Sequence, residues 1–365
     1  FTSGSTGAPK GVTISHRAAM AYVRNCVQTF DLRAQDRVSS HAPLHFDLSI
    51  LDVFASIAVG ATIVPITGAA RVFPTTLAEL IDREAISVWY SVPFALVQLA
   101  RHGGLERFGF AALRCVLFAG EPMPVAPLRE LMDRWPAARF HNLYGPTETN
   151  VVTGHEVTRG DAEALAALPI GREWPDAEVR LVDGAGRPVA AGDAGELWVC
   201  SATTMTGYWG DATATDRAFA TVRTPAQRQP QRFYRTGDRV RRDDAGTLWF
   251  LGRTDDMVKV RGHRVELGEV QAALAGHPAL AEATVVALPA ADVGVELVAV
   301  VTPADHAAPP TPADVRAHCA SRLPTYMVPT RVEVHATLPR TSTGKLDRHA
   351  VVNALTTAAT PGSGR

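Results

Sequence analysis

The chain has 365 residues, 46% of them hydrophobic and 20% charged. That is enough apolar material for two or three packed domains, and it excludes general disorder. Its 36 basic and 37 acidic residues leave a formal charge of -1, which excludes a protein devoted to coating nucleic acid, because such binding needs clustered positive charge.

No apolar run approaches the ~20 residues that a membrane-spanning helix needs. No signal peptide opens the sequence, which begins with Phe1 rather than Met. Cys26, Cys115, Cys200 and Cys319 lie far apart and form no Cys-x-x-Cys pair. Neither a disulfide framework nor a zinc site is therefore expected, and a reducing cytoplasm fits. Of the 36 basic residues only Lys10, Lys259 and Lys345 are lysine. A lysine is a compact point charge, whereas arginine is a broad planar fork. Each of the three sits in an ordered-looking motif, APKG, VKVRG or STGK.

In chain order, short apolar runs rich in β-branched and aromatic residues predict strands at Ala61–Ile66, Ser87–Val92, Arg114–Phe118 and Glu196–Cys200. Helical patterns lie between some of them, at Thr76–Glu84 and Pro124–Trp135. This alternation predicts an α/β or mixed α+β domain over 1–254. Arg223–Arg232 is polar and proline-containing and reads as a surface loop. The pattern changes near Leu251–Asp256. Beyond it come helix Glu266–Ala275, strands Ala283–Leu288 and Val295–Val301, helix Pro312–Arg322 and strand Arg331–His335. They predict a small α+β domain over 255–355. Residues 356–365 lack periodicity and are expected to form a disordered tail.

Five motifs carry chemistry. FTSGSTGAPKGV (Phe1–Val12) combines three glycines, the hydroxyls of Thr2, Ser3, Ser5 and Thr6, and the cation of Lys10. Such a loop can wrap a polyphosphate. It is not a P-loop, because Ala8-Pro9 separates Gly7 from Lys10. NLYGPTET (Asn142–Thr149) offers the flat face of Tyr144 and a hard oxygen ligand, Glu148, suited to Mg²⁺; alone it also reads as an ordinary turn with a surface acid. YRTGDRV (Tyr234–Val240) presents Asp238, which can accept two ribose hydroxyls or serve as a plain hairpin aspartate. GRTDDMVKVRGHRVELGEV (Gly252–Val270) puts Asp255 at the domain change, as a hinge or as part of a simple linker. PRTSTGKLDR (Pro339–Arg348) carries Lys345 on a loop that could neutralise a phosphoryl transition state.

Together with FDLS, GYW and LPTYMVP, these motifs in this order resemble the adenylate-forming superfamily. The closest resemblance is to amino acid adenylation domains of nonribosomal peptide synthesis, and it covers nearly the whole chain. It implies a large adenylation core, here N-terminally truncated, and a small mobile C-terminal α+β domain. It implies ATP and Mg²⁺ as cofactors. Lys10 and the hydroxyls of its loop would hold the β- and γ-phosphates. Tyr144 would stack on adenine beside the Gly120-Glu121 turn, with Asn142 and Thr147 completing the nucleotide contacts. Glu148 would bind Mg²⁺. Asp238, helped by Arg253, would hold the ribose. Lys345 would bridge the substrate carboxylate and the α-phosphate, and Asp255 would be the hinge between two half-reactions. Lys259 and Gly262 would belong to the face used in the second. Phe1 and Thr343 depart from the commoner residues of their motifs without altering a charged role.

The resemblance also implies a substrate pocket. Asp47 of HFDLSILDVF would pair with an α-ammonium; the same aspartate also reads as an N-cap for the helix after it. Leu48, Leu51, Tyr90, Leu117, Ala119, Leu143, Val151 and Val152 would line the rest, with no side chain to pair a charged substrate group. The set resembles stand-alone enzymes that load L-proline onto a carrier, with D-alanine–carrier protein ligases as the alternative. A phosphopantetheinylated carrier protein would accept the product in trans, as part of secondary-metabolite biosynthesis, and no nucleic acid or membrane would be involved. Rival classes are an acyl- or aryl-CoA ligase, which has no need of Asp47, and a non-catalytic interaction module.

Overall fold

A computed structural model describes residues 1–2, 9–165, 167–223, 230–254, 257–290, 294–340 and 346–358. Its contacts divide the chain into two units, one holding Phe1 and 10–255, the other holding 2–9 and 256–365.

The first unit is built on a seven-stranded sheet. Its strands run in the order Thr62–Pro65, Arg37–Ser40, Val88–Ser91, Cys115–Ala119, Arg139–Tyr144, Thr153–Val157, Arg172–Glu173. The first five are parallel and the last two antiparallel. Central parallel strands are buried on both faces, so they read as unbroken apolar runs, and successive residues face opposite ways. Trp89, Val116 and Phe118 pack on one side with the helices Pro74–Arg83, Pro93–His102 and Val125–Arg134. Val88, Tyr90, Cys115 and Leu117 pack on the other. That second side is covered by the helix His16–Thr29, which the sequence reading missed. Ser15 caps it by accepting the Ala18 amide at 3.1 Å. Tyr22 and Cys26, four residues apart, share its sheet-facing stripe. A separate five-stranded antiparallel sheet follows, from Ala177–Val182, Ala194–Ser201, Phe219–Val222, Gln231–Arg242 and Leu248–Arg253.

The second unit has a three-stranded sheet, Leu280–Ala290, Gly294–Pro303 and Arg331–Val334, with helices Leu267–Ala275, Pro312–Ala320 and Arg348–Ala358. Its hairpin Met257–Val260/His263–Glu266 turns on Arg261 and Gly262, both at positive φ. Lys259 lies in that hairpin, opposite Arg264.

Two expectations need correction. The loop expected over 223–232 is already strand at Gln231 and Arg232, which pair with Val222 and Thr221. Residues 356–358, expected in the tail, belong to the last helix, which rests on the buried anchors Val351 and Leu355; 359–365 lie outside the described residues. Among the described residues no helix is long and apolar enough to cross a membrane.

Candidate active site

In open parallel sheets ligands bind beyond the carboxyl ends of the strands. Tyr144 and the Gly120-Glu121 turn stand there. The strand Arg139–Tyr144 ends on Tyr144, and Gly120, at φ +101, bends the chain away after Cys115–Ala119 toward Glu121.

The first group is Tyr144, Asp238 and Arg253. The Tyr144 hydroxyl and the Arg253 guanidinium both donate to the Asp238 carboxylate. Asp238 and Arg253 face each other across paired strands. Arg253 also donates to the Thr236 carbonyl at 2.9 Å, and the Asp238 amide donates to the Thr236 hydroxyl at 3.0 Å. Burial, reinforced by the Asp238 charge, holds the Tyr144 hydroxyl well above its ordinary pKa, so it stays a donor. Asn142 spends its side-chain amide on the Pro169 carbonyl at 2.8 Å, a bond internal to the fold.

The second group is Lys10, Tyr208 and Glu148. Glu148 is buried and accepts the Tyr208 hydroxyl at 2.8 Å. The Lys10 ammonium lies 5.1 Å from the centroid of the Tyr208 ring, a cation–π distance. Val12–Thr13 pairs with Gly207–Tyr208 and brings the two motifs together. Gly145 is required in the turn that carries Thr147 and Glu148: a Cβ there would lie 1.8 Å from the Asn150 carbonyl oxygen. Tyr208 is a residue that sequence reasoning left without a role, although GYW marked it. The single buried carboxylate of Glu148 fits Mg²⁺, which usually takes one or two carboxylates and completes its shell from substrate phosphates and water.

The third group is the expected substrate lining. Leu48, Leu51, Tyr90, Leu117, Ala119, Leu143 and Val151 belong to one buried cluster. Val152 does not: it packs with Tyr144, Ile170 and Leu197. Asp47 is half-buried, and its charge acts on the Tyr90 hydroxyl. The helix that follows is already under way at Ser49 and Ile50, ahead of its wider turn Leu51–Ala55. The cluster also holds groups that sequence reasoning missed. The Tyr22 hydroxyl lies against the Tyr90 hydroxyl and the Cys26 thiol without closing a well-directed bond to either. Tyr22 stacks on Trp174 at 5.9 Å. Burial first, then Asp47, Cys26 and Asp52, hold Tyr90 well above the ordinary tyrosine range.

Ser3, Ser5, Thr6, Asp255 and Lys345 lie outside the described residues. Thr2 is buried and is grouped with the second unit.

This architecture matches known proteins. The sequence profile of AMP-binding enzymes matches residues 1–209, and that of the AMP-binding enzyme C-terminal domain matches 269–345. An L-proline–[L-prolyl-carrier protein] ligase of Pseudomonas fluorescens is 40% identical over 96% of this chain and 67% of its own length. A Streptomyces coelicolor ligase of the same description is 40% identical over 95% of this chain and 64% of its own. The amide bond synthetase McbA of Marinactinospora thermotolerans superposes with a TM-score of 0.85 at 32% identity, over 97% of this chain and 68% of that one. The chain thus spans about two thirds of the length of the curated relatives it matches. It belongs to the AMP-binding enzymes.

Proposed function

We propose that the protein activates an amino acid, L-proline, as its acyl-adenylate at the expense of ATP and then passes it to the phosphopantetheine thiol of a carrier protein. The observation that carries this reading is the convergence of seven apolar lining residues in one buried cluster with Asp47 acting on its Tyr90. An apolar wall with one carboxylate suits a compact ring bearing a secondary ammonium. A charged or amide side chain would shed water there without a partner, at a cost of several kcal/mol. The 40% identity to two L-proline–[L-prolyl-carrier protein] ligases supports the same substrate and acceptor.

In this reading Asp47 orients the substrate through its ammonium. The substrate carboxylate attacks the α-phosphorus and pyrophosphate leaves. Asp238 takes the ribose hydroxyls while Arg253 and Tyr144 hold its carboxylate in place. The face of Tyr144 takes the adenine. Lys10 stabilises the charge of the departing pyrophosphate. Glu148 would hold Mg²⁺, which supplies charge neutralisation on the phosphate oxygens. Lys345 would bridge the substrate carboxylate and the α-phosphate, and rotation about Asp255 would bring Lys259 and Gly262 to the thiol-transfer step.

The test is amino-acid-dependent ATP–pyrophosphate exchange by the full-length protein across the twenty amino acids, D-alanine and aryl and fatty acids. Transfer to a phosphopantetheinylated carrier, to coenzyme A and to a free amine is then compared. Proline-dependent exchange followed by carrier loading is expected. Better activation of aryl or fatty acids overturns the amino-acid reading.

A further inference from the structure

The hairpin Met257–Val260/His263–Glu266 makes strand pairs with itself alone among the described residues. Its placement on the second unit therefore rests on side chains. These alternate along a strand, and residues opposite each other share a face. The pairs Val258/Val265 and Val260/His263 thus lie on one face, and Lys259/Arg264 on the other. Val260 and Val265 are buried in the core of the unit, with Val258 packed against it. Lys259 stands on the face opposite the one that packs on that core.

At its base the hairpin is fixed by the chain, because Glu266 leads directly into the helix Leu267–Ala275. At its tip it closes on Arg261 and Gly262, at φ +52 and +81. A two-residue turn with both φ angles positive favours asparagine, aspartate or glycine at its first position. Arginine there occupies a region that is costly for a residue with a Cβ, so the tip does not hold its shape by turn preference alone.

A ring stack holds it from the core side. The His263 imidazole lies flat on the Tyr326 ring, with centroids 3.9 Å apart and planes 6° from parallel. Tyr326 sits in the short helical turn Thr325–Met327, which is pinned by the buried Met327. The Met327 amide donates to the Pro324 carbonyl at 2.9 Å and tightens the same turn. Burial of the valines has no preferred direction, whereas two overlapping planes fix the tilt of one against the other.

We infer that the His263–Tyr326 stack is a brace that orients the hairpin for acyl transfer, both side chains being positioning residues for the face that carries Lys259. In that transfer the carrier thiol gives its proton to water, its sulfur bonds to the acyl carbon, and AMP leaves with the electrons of the broken carbon–oxygen bond. The inference rests on the carrier-loading reading. In that reading adenylate formation does not use this face, so the stack should separate the two half-reactions.

The test uses the full-length protein and its phosphopantetheinylated carrier. Proline-dependent ATP–pyrophosphate exchange reads the first half-reaction, and single-turnover loading of the carrier from preformed adenylate reads the second. In His263→Ala and in Tyr326→Leu, loading is expected to slow about tenfold or more while pyrophosphate exchange stays within about twofold, as a small misplacement of a reacting group can cost. His263→Phe restores a ring and should recover loading to within about threefold, and Tyr326→Phe should load like the wild type. The double variant of His263→Ala and Tyr326→Leu should be no slower than the slower single variant, because the two residues make one contact. Hydrogen exchange at the 257–266 amides should quicken in the variants without a ring and not in the Phe variants. Unchanged loading, losses that multiply in the double variant, His263→Phe as slow as His263→Ala, or pyrophosphate exchange that falls in step with loading overturns the inference. If the wild-type protein forms the adenylate yet loads no carrier, it is the functional reading that fails.

Discussion

The two edges of the parallel sheet use polar side chains for opposite purposes. At the amino edge Asp36, Ser87 and Arg114 each sit just ahead of a strand and satisfy one another. The Ser87 hydroxyl donates to Asp36 at 2.8 Å. Arg114 donates to both Asp36 oxygens at 2.9 and 2.6 Å from Nε and Nη2; Nη1 donates to the Phe30 carbonyl and Nη2 also to the Asp31 carbonyl. The carboxyl edge instead carries Asp47, Asp52, Tyr90 and Tyr144. The difference separates stability from chemistry. The closed network at the amino edge fixes strand order and register, whereas at the carboxyl edge the segment 41–50, the bend at Gly120 and the turn after Tyr144 leave the sheet and can meet a ligand.

The largest effect expected from this contrast is at the amino edge. Asp36→Ala removes a carboxylate that is 3% exposed and leaves the guanidinium of Arg114 without its anion. Breaking such a pair costs about 3–5 kcal/mol. Denaturant titration should show that loss, while the Michaelis constants of the folded fraction stay unchanged. A kinetic change larger than the stability change would erase the division between the edges.

Acid sharpens the same comparison. Burial, helped by Arg139 and His155, pulls the His141 imidazole down to about 4. Burial and Arg71 do the same to His41, at the carboxyl edge. Each folded-state value is depressed, so each imidazole is neutral in the fold while the unfolded chain takes up protons below its ordinary 6.5. Their contributions are therefore complete above about pH 6.5 and are lost as the pH falls toward 4. For Asp36, burial alone would raise the pKa, but Arg114, Ser87 and the Arg33 amide together hold it below the ordinary carboxylate value. Its contribution persists until the pH falls under 3.8. Stability should thus fall in two stages on acidification, by a few kcal/mol in the first. His141→Gln should shrink the upper stage to the share that His41 contributes and leave the lower one. A profile that stays level between pH 6.5 and 4 in the wild-type protein would refute the assignment.

At the carboxyl edge the order reverses, with kinetics moving and stability holding. Asp47→Ala removes a half-buried carboxylate and should cost little in thermal midpoint. It should weaken amino-acid activation by about 2 kcal/mol, the worth of a charge-assisted bond, or roughly thirtyfold. The analogue without the amine should lose nothing. Equal losses for both acids would show that Asp47 does not read the amine.

Much of this layout was legible in the chain itself. The buried strands announced themselves as apolar runs because both faces of a parallel sheet are covered. Tyr144, Glu148, Asp238 and Lys10 stood out as polar or charged residues set near glycines, and Arg253 came only with the family resemblance. What stayed hidden needed spatial pairing. Tyr22 and Cys26 have the spacing of any amphipathic helix, and nothing local says that the sheet opposite them holds Tyr90. Val151 and Val152 pack in different clusters, the first with Leu143 and the second with Tyr144 and Ile170, a parting that nothing in their sequence shows.

The smallest effect expected is also the most discriminating for the nucleotide side. Tyr144 offers both a ring and a hydroxyl, and the two can be separated. Tyr144→Phe keeps the ring, which packs near Phe250 with centroids 6.4 Å apart, and removes the bond to Asp238. Asp238 keeps Arg253 as its partner, so no buried charge is stranded. The loss should be that of one hydrogen bond, about 1 kcal/mol, and should appear as a roughly fivefold higher Michaelis constant for ATP. The amino-acid constant should not move, because Asp47 belongs to a different strand end. Substituting 2′-deoxyATP provides the check. If the hydroxyl acts by holding Asp238 for the ribose, the Phe variant should discriminate less between ATP and its deoxy analogue than the wild type does. If the variant weakens ATP while keeping full discrimination, the hydroxyl serves packing alone, and Asp238 is set by Arg253 without help.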